Sequence, residues 1–416
     1  MNVSYWISKR LRLAGDFRKP SAGIIVAITG IALAVIVMEF TLAIVLGFKN
    51  GIRNRLAGFE AQITISAPYL ENGLQDASIT LSPKLERIIA ENLTGDYTQR
   101  QVIRQPGILK TNNDFQGVIF IAQEGHDNFK FEKSNIVEGA WPDFSSDTCR
   151  SQIVISKPMA QALNLGIGDK LYSTFIIDES VRLRRHKIAA LYQSNFGEYD
   201  MTAVYASPIE LRGILGLDSL ESKTLEIRGL DFNDLSIDAQ SLQDALIRAV
   251  ATGDLNNYYP VSSVEQTGAM YFNWLALLDT NVVVIFILML CVSGFTLISC
   301  LFILILERVK TIGILRSFGA KKSMVRRIFI YMAMRVVIIG LIIGNLIGIP
   351  LLLLQLHYHI VPLNPEMYYL DTVPVEINIW YLVALNIGVV ASAWLILVLP
   401  SHLASAIDPA KTVNYD

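Results

Sequence analysis

Four separate stretches of this chain are long and apolar enough to cross a lipid bilayer as helices. They cover residues 21–48, 282–306, 328–354 and 379–399. A bilayer core about 30 Å thick requires roughly 20 apolar residues, because each residue of a helix rises about 1.5 Å. Charged residues make up only 17% of the chain, and most of them lie outside the four stretches. This composition excludes a wholly soluble protein.

The residues between the first and second stretches have the composition of an ordinary globular domain, which excludes a compact bundle of membrane helices alone. The first stretch is too long for the roughly 7–15 apolar residues of a signal peptide, and no small-residue cleavage site follows it. We therefore predict an α+β membrane protein, with four transmembrane helices and a large extracytoplasmic mixed α/β domain inserted between helices 1 and 2.

The distribution of basic residues predicts the orientation, because Lys and Arg are enriched in short cytoplasmic loops. They cluster before the first stretch and between the second and third: Lys9, Arg10, Arg12, Arg18 and Lys19, then Arg308, Lys310, Arg316, Lys321, Lys322, Arg326 and Arg327. Three bases just after the first stretch, Lys49, Arg53 and Arg55, oppose this trend. The balance predicts that both termini are cytoplasmic and that residues 49–280 lie on the far face.

Residues 2–19 place Val3, Ile7, Leu11 and Ala14 on one helical face, with bases elsewhere. This pattern is typical of a short helix that lies in the membrane interface. A frayed, charged terminus is the alternative, since free chain ends are often disordered.

The insert combines strand and helix patterns in the order expected of one mixed domain. We predict strands at 62–66, 117–122, 153–156, 171–177, 184–191 and 203–205, and helices at 83–92, 157–163 and 208–215. Ser82 is available to cap the first of these helices, and Pro83 suits its first position.

The connection between the second and third spans contains a short amphipathic helix. Val309, Ile312 and Leu315 recur at helical spacing on one face, with charges around them. Gly319 and Ala320 then begin a turn. An apolar ridge exposed to the cytosol requires a partner or the lipid surface, and amphipathicity alone favours lipid contact.

Small residues recur at every fourth position in two spans. They are Gly340, Gly344 and Gly348 in the third, and Ala384, Gly388 and Ser392 in the fourth. This spacing lets helix backbones approach closely and predicts helix packing. The alternative is that glycine is simply common in membrane helices.

Glu39 lies inside the first span, where charge is costly. It is eighteen residues past Ser21, and therefore roughly 27 Å along the helix and near the outer interface. We predict either a solvated residue of the outer leaflet or part of a polar lateral opening.

Several chemistries have no signature in the sequence. There is no Gly-Lys dipeptide, so the chain has no P-loop of the G-x-x-x-x-G-K-[ST] type for nucleotide phosphates. His357 and His359 stand without an accompanying Cys or carboxylate cluster, so no metal is expected. The net charge of −2 gives no basic field for nucleic acid. We predict a non-catalytic chain without a cofactor.

The arrangement of one span, a large outer domain and three further spans resembles the FtsX/MacB-like permeases of ABC transporters. The segments that carry the resemblance are 307–320 (ERVKTIGILRSFGA) and the closing 399–410 (LPSHLASAIDPA). Further segments resemble lipoprotein-releasing permeases of the LolC/LolE type: 30–33, 47–48, 164–169, 197–200, and 368–369 ahead of 374–375.

This resemblance implies a membrane subunit driven by a separate ATPase that binds ATP, and paired with a second permease chain in a homo- or heterodimer. It also implies that the 307–320 segment is the coupling helix that docks on the ATPase, which replaces the preference for lipid contact. The implied coupling residues are Ile312, Gly313, Ile314 and Leu315 at the contact, Glu307, Arg308 and Arg316 at its polar rim, and Gly319 and Ala320 in the turn.

Together with the resemblance, these patterns predict the following organisation in a bacterial inner membrane. It comprises an interfacial helix at 1–20, spans at 21–48, 281–306, 328–355 and 379–399, a periplasmic domain at 49–280, a cytoplasmic coupling helix and turn at 307–327, a periplasmic loop at 356–378 and a cytoplasmic tail at 400–416.

The lipoprotein-releasing family implies an acylated lipoprotein cargo, lifted from the outer leaflet of the inner membrane and passed to a periplasmic carrier. Lifting acyl chains costs about 0.8 kcal/mol per CH₂, so an external energy source is required. Two alternatives remain: an FtsX-like regulator of a periplasmic hydrolase, and a MacB-like efflux permease. The loop that recruits the carrier in some members is not identifiable from the sequence.

Overall fold

The computed structural model describes residues 22–68, 78–111, 114–123, 129–177, 180–232 and 234–406. The predicted interfacial helix at 1–20 lies outside these described residues, as does the end of the predicted tail. The chain forms two compact units. The helical unit holds the described residues up to Asn50, Trp274–Leu363 and those from Thr372 onward, and the sheet unit holds Gly51–Asn273 and Asn364–Asp371.

The described residues form alternating helices and strands, followed by helices alone. In chain order the elements are α1 (Ala22–Phe59), β1 (Ile63–Ser66), β2 (Ile79–Thr80), α2 (Pro83–Asn92), β3 (Thr98–Lys110), β4 (Phe115–Gln123), α3 (Lys130–Ser134), β5 (Ile136–Gly139), β6 (Gln152–Ser156), α4 (Lys157–Ala162), β7 (Lys170–Ile177), β8 (Ser180–Tyr192), α5 (Gly197–Thr202), β9 (Ala203–Ala206), α6 (Pro208–Leu215), β10 (Glu221–Ser222), β11 (Thr224–Arg228), α7 (Leu235–Ala251), β12 (Val261–Ser263), α8 (Val264–Thr267), α9 (Ala269–Glu307), α10 (Val309–Ser317), α11 (Lys322–Tyr358), α12 (Pro365–Tyr368) and α13 (Ile379–Ala406).

Four of these helices, α1, α9, α11 and α13, are long and apolar enough to cross a membrane. Their inward faces share one buried core, to which α10 also contributes. Representative members are Val35 of α1, Leu301 of α9, Ile312 of α10, Val336 of α11 and Leu397 of α13. The predicted α+β membrane protein with four spans is confirmed.

The first two membrane helices are longer than their apolar runs. Helix α1 continues past the predicted end at residue 48 to Phe59, and α9 begins at Ala269, before the predicted start at 281. Hydropathy marks only the part of a helix that matches the bilayer, and Lys and Arg are good helix formers that continue it. Lys49 of the α1 extension pairs with Asp279 of α9 at 2.8 Å between Nζ and Oδ2.

The sheet unit is built on one large mixed sheet. Its strand order is β12-β1-β11-β3-β4-β9-β6-β8-β5, and β7 pairs with β3 and β8. The pairs β4–β9 and β6–β8 are parallel, whereas the others in this sheet are antiparallel. Phe120, Ile153, Phe175, Val204 and Leu211 lie in its core, so the predicted mixed α/β domain is confirmed.

Local signals at the start of α2 act as predicted. The Ser82 hydroxyl accepts a hydrogen bond from the Leu85 N–H at 3.2 Å, and Pro83 occupies the first helical position. This cap satisfies one of the N–H groups that a helix start leaves without an intrahelical partner.

Candidate functional site

The connection between α9 and α11 forms a short helix, α10, that ends in a tight turn. The Gly319 N–H donates to the Arg316 carbonyl at 3.0 Å, and the Ala320 N–H donates to the Leu315 carbonyl at 3.1 Å. Gly319 has a φ of 85°, a left-handed conformation that costs a glycine little. The chain can therefore leave α10 and enter α11 within a few residues.

The exposed apolar face of α10 is not the predicted one. Ile312 is only 1% exposed and lies in the core of the membrane helices, and Leu315 packs against that core. Gly313 is also buried. The prediction that the ridge around Ile312 faces the cytosol is therefore wrong. The exposed apolar side chains are Ile314 at 58% and Phe318 at 87%.

The two exposed side chains stand four residues apart, and this spacing places them on one face of a helix. The predicted polar residues lie around them: Glu307 is exposed, while Arg308 and Arg316 are half-buried at either end of α10. The structure thus brings together an exposed apolar pair with charged residues near it. Phe318 was not among the predicted contact residues, because the pattern pointed to the face of Ile312.

The glycine row of α11 lies directly against α1. A Cβ atom on Gly340 would be 2.9 Å from the Cβ of Ile31. A Cβ atom on Gly344 would be 2.9 Å from the Cβ of Val35 and 3.0 Å from the carbonyl oxygen of Ala32. These separations are shorter than ordinary carbon contacts of about 3.5–4.0 Å, so the two helices approach as closely as they do only because these positions lack side chains.

The third member of the row, Gly348, makes room for Glu39. The place that a Cβ atom on Gly348 would occupy is taken by the Glu39 carboxylate. Glu39 is 0% exposed, and neither of its side-chain oxygens has a hydrogen-bond partner among the described residues. The structure contradicts the predicted solvated setting, because Glu39 is enclosed between α1 and α11. Its part in a polar lateral opening stays a prediction.

The small residues of α13 do not make a similar contact. Helix α13 packs on α11 through another face. There Asn386 of α13 and Asn345 of α11 exchange side-chain hydrogen bonds of 2.8 and 3.1 Å. Among the described residues beyond its own stretch of helix, no atom lies within 4 Å of a Cβ atom built on Gly388. Ala384 and Gly388 instead line an apolar cavity of about 320 Å³ beside α9, and Ser392 lines a second one.

In the sheet unit, an arginine binds the end of α1. The Arg228 guanidinium donates to the carbonyl oxygens of Ala57, Gly58 and Phe59 at 3.3, 2.9 and 3.3 Å. The last carbonyls of a helix have no intrahelical partner and carry partial negative charge, so a cation there is stabilising. Because Arg228 ends β11, the helix is attached directly to the central sheet.

Buried carboxylates complete this attachment. Glu226 accepts hydrogen bonds from Arg228 at 3.0 Å and from Arg104 at 2.8 Å, and Arg104 also reaches Glu60 at 2.8 Å. Although burial by itself raises the pKa of Glu226, the two guanidinium groups hold that pKa below its ordinary value. At nearby Glu132 the effect of burial outweighs the lowering effect of Arg228, and burial raises the pKa of Glu132 to about 7.

A second buried network has the residue types of a hydrolase triad. The Ser173 hydroxyl lies 2.7 Å from Nδ1 of His186, whose Nε2 lies 2.8 Å from Oε2 of Glu210. All three side chains are buried, with Ser173 at 0% exposure. A nucleophile must be reached by its substrate, so this network joins β7, β8 and α6 rather than forming a catalytic site.

Comparison with known proteins gives one family match and several relatives. The family model for the FtsX-like permease C-terminal region matches residues 283–409, which include α10. The chain is 22% identical to the lipoprotein-releasing system transmembrane protein LolC of Xylella fastidiosa, over 94% of this chain and 93% of that protein. It is also 22% identical to the LolE protein of Haemophilus influenzae, over the full length of both.

Among solved structures, the periplasmic region of MacB from Actinobacillus actinomycetemcomitans matches 51% of this chain and 92% of that chain, at 11% identity and a TM-score of 0.30. The sequence relatives span nearly the whole chain, and the family match covers its last three membrane helices. The last part of the chain therefore matches the FtsX-like permeases, nearly the whole chain resembles LolC and LolE, and four of its helices are long and apolar enough to cross a membrane.

Proposed function

We propose that the chain is the membrane subunit of a transporter that extracts lipoproteins from the outer leaflet of the inner membrane. A separate ATPase drives it by mechanical coupling, and a second permease chain completes the membrane part. The observation that carries this proposal is the two-sided character of α10. Ile312 is locked into the core shared by all four membrane helices, while Ile314 and Phe318 remain exposed for a partner.

A partner that pushes on α10 would act on every membrane helix at once. Protein interiors are close-packed and transmit displacement rather than absorb it. Ile312 belongs to a core that contains residues of α1, α9, α11 and α13. The basic residues before α1 and around α10 favour a cytoplasmic position for this site, which is where ATP is available.

The hydrogen bonds that join the end of α1 to the sheet also support the proposed mechanical coupling. Helix α1 is continuous from Ala22 to Phe59, and Arg228 binds the carbonyl groups at its end. The end of α1 and β11 would therefore move together.

We further propose that the periplasmic carrier docks on the hairpin formed by β7 and β8. Tyr172, Ile176, Val181 and Leu183 are all exposed. Ile176 is paired directly opposite Val181, so these side chains share one face of the hairpin, while Phe175 points to the buried side. An exposed apolar face of this kind marks a binding surface, and a lipid carrier requires an apolar contact near the site of transfer.

The hairpin proposal predicts a selective loss of carrier binding. Replacing Ile176 and Leu183 with glutamate should weaken capture of the carrier by more than tenfold, because unpaired charges would be buried at the contact. Carrier capture is measured by pull-down with the purified complex. The matched control replaces Ile237 and Ile247, exposed residues of α7 in the same unit, and should bind normally. Normal capture by the hairpin variant would contradict the proposal.

Depletion of the protein in cells tests the proposed function as a whole. We expect mature lipoproteins to accumulate in the inner membrane, since they can no longer be lifted out. The measurement is the distribution of lipoproteins between separated inner and outer membranes. Filamentation with normal lipoprotein sorting would instead indicate an FtsX-like regulator, and drug or peptide sensitivity with normal sorting would indicate an efflux permease.

A further inference from the structure

Three aromatic rings from distant parts of the chain meet in the sheet unit. Tyr369 stacks on Phe196 with 5.3 Å between ring centroids and 12° between planes. Tyr271 meets Tyr369 edge-on at 5.3 Å, and it meets Phe196 edge-on at 5.2 Å. We call these three residues the ring joint. Pairs at such distances are each worth about 0.5–1.5 kcal/mol beyond the area they bury.

The members of the ring joint come from different parts of the chain. Phe196 stands just before α5, Tyr271 lies in the first turn of α9, and Tyr369 lies in the connection between α11 and α13. Residues 364–371 of that connection belong to the sheet unit, although the chain on both sides of them belongs to the helical unit. The connection between the last two membrane helices therefore inserts a short segment into the sheet unit.

Polar contacts hold this segment in addition to the rings. Arg55 of α1 donates to the carbonyl oxygen of Tyr369 and to Oδ2 of Asp371, each at 3.3 Å. The side-chain amide of Asn195 donates to Oδ1 of Asp371 at 3.4 Å. Segments from α1, α9, the sheet and the α11–α13 connection thus meet at one place.

The receiving turn on the sheet is held by hydrogen bonds of its own. The buried Asp200 carboxylate accepts hydrogen bonds from the backbone N–H groups of Ser194 at 3.0 Å and Asn195 at 3.2 Å. The Phe196 N–H donates to the Ser194 hydroxyl at 2.9 Å, and Phe196 is buried. On the other side, Tyr369 has a φ of 62°, an unfavourable conformation for tyrosine that persists only where surrounding contacts determine it.

We infer that the ring joint fixes residues 364–371 of the α11–α13 connection to the sheet unit, with Tyr369 as the positioning residue. Tyr369 contacts both Phe196 and Tyr271, and Arg55 binds its carbonyl oxygen. The inference rests on the proposed function, because its consequence is that lipoprotein release depends on this segment keeping its place on the sheet unit.

The test uses the full chain in its native complex, reconstituted in lipid nanodiscs. In Tyr369→Ala, amide hydrogen exchange in residues 194–200 should be at least tenfold faster than in the unmodified chain. The matched control is Tyr368→Ala, which removes a neighbouring exposed tyrosine and should leave exchange unchanged. Exchange that is equally slow in both variants would overturn the inference.

A second measurement separates attachment from folding. Tyr369→Ala should reduce lipoprotein release at least tenfold while ATP hydrolysis by the complex continues. Adding Asn195→Cys and Asp371→Cys to that variant, with the native cysteines replaced, and oxidising the pair with diamide should restore release through a covalent tether. Release at the unmodified level in Tyr369→Ala would overturn the inference. The hydrogen-exchange measurement does not require cargo, so it tests the ring joint independently of lipoprotein release. If the unmodified complex fails to release lipoproteins, the proposed function is refuted, while the exchange result still holds.

Discussion

A chain in which both Ile314 and Phe318 are replaced with serine is expected to bind its ATPase about 100-fold more weakly. Burying an apolar side chain of this size contributes about 1.5–3 kcal/mol, and each 1.4 kcal/mol corresponds to about tenfold in affinity. Both side chains are mostly exposed in the isolated chain, so the substitutions should leave the fold intact. The affinity is measured with the purified ATPase and the chain in detergent.

The control for this experiment must be an exposed apolar pair elsewhere. Replacing Ile237 and Ile247 of α7 with serine removes similar exposed surface from the sheet unit and should not change ATPase binding. Substitution of Gly313 is less informative, because this residue is buried and a larger side chain would disturb the core. Equal affinity in the Ile314/Phe318 variant and the control would contradict a docking role for α10.

The second prediction concerns the contact between α1 and α11. Gly344→Leu is expected to destabilise the protein by about 1–3 kcal/mol or more, the range seen when extra carbon is forced into a packed core. The cost should lie at the upper end, since one of the nearest atoms is the backbone oxygen of Ala32, which cannot rotate away. The measurement is the thermal unfolding midpoint in detergent.

Helix α13, the fourth membrane helix, offers a matched control for the glycine-to-leucine substitution. Gly388→Leu adds the same side chain to another membrane helix, at a position where the described parts of the neighbouring helices place no atom within 4 Å of the new Cβ. Its unfolding midpoint should remain close to that of the unmodified chain. A destabilisation of similar size in both variants would show that adding a large side chain to any membrane helix, rather than close packing against α1, explains the effect.

Hydropathy predicted the architecture because the bilayer imposes a minimum apolar length that few soluble segments meet. It did not predict that α1 runs on to Phe59, since the end of an apolar run is not the end of a helix. The insert was predicted where local signals are strong, as at α2 with its Ser82 cap. Long strands such as β3 were missed, because residues Thr98–Lys110 mix polar and apolar side chains without strict alternation.

The exposed face of α10 was predicted incorrectly for a physical reason. The segment carries two apolar stripes, one through Ile312 and one through Ile314 and Phe318. The sequence-based prediction followed only the stripe through Ile312, whereas the position of the membrane helices determines which stripe is buried. The same holds for Glu39, whose depth along α1 is readable from the sequence while its neighbour, Gly348, comes from a helix far along the chain.

Site-specific photo-crosslinking from position 318 in living cells tests the central claim most directly. The chain would carry a photoreactive phenylalanine in place of Phe318, the most exposed residue of the proposed docking face. We expect irradiation to capture a nucleotide-binding subunit, identified by mass spectrometry. If position 318 yields adducts with phospholipid alone, the claim that an ATPase drives this permease through α10 is contradicted.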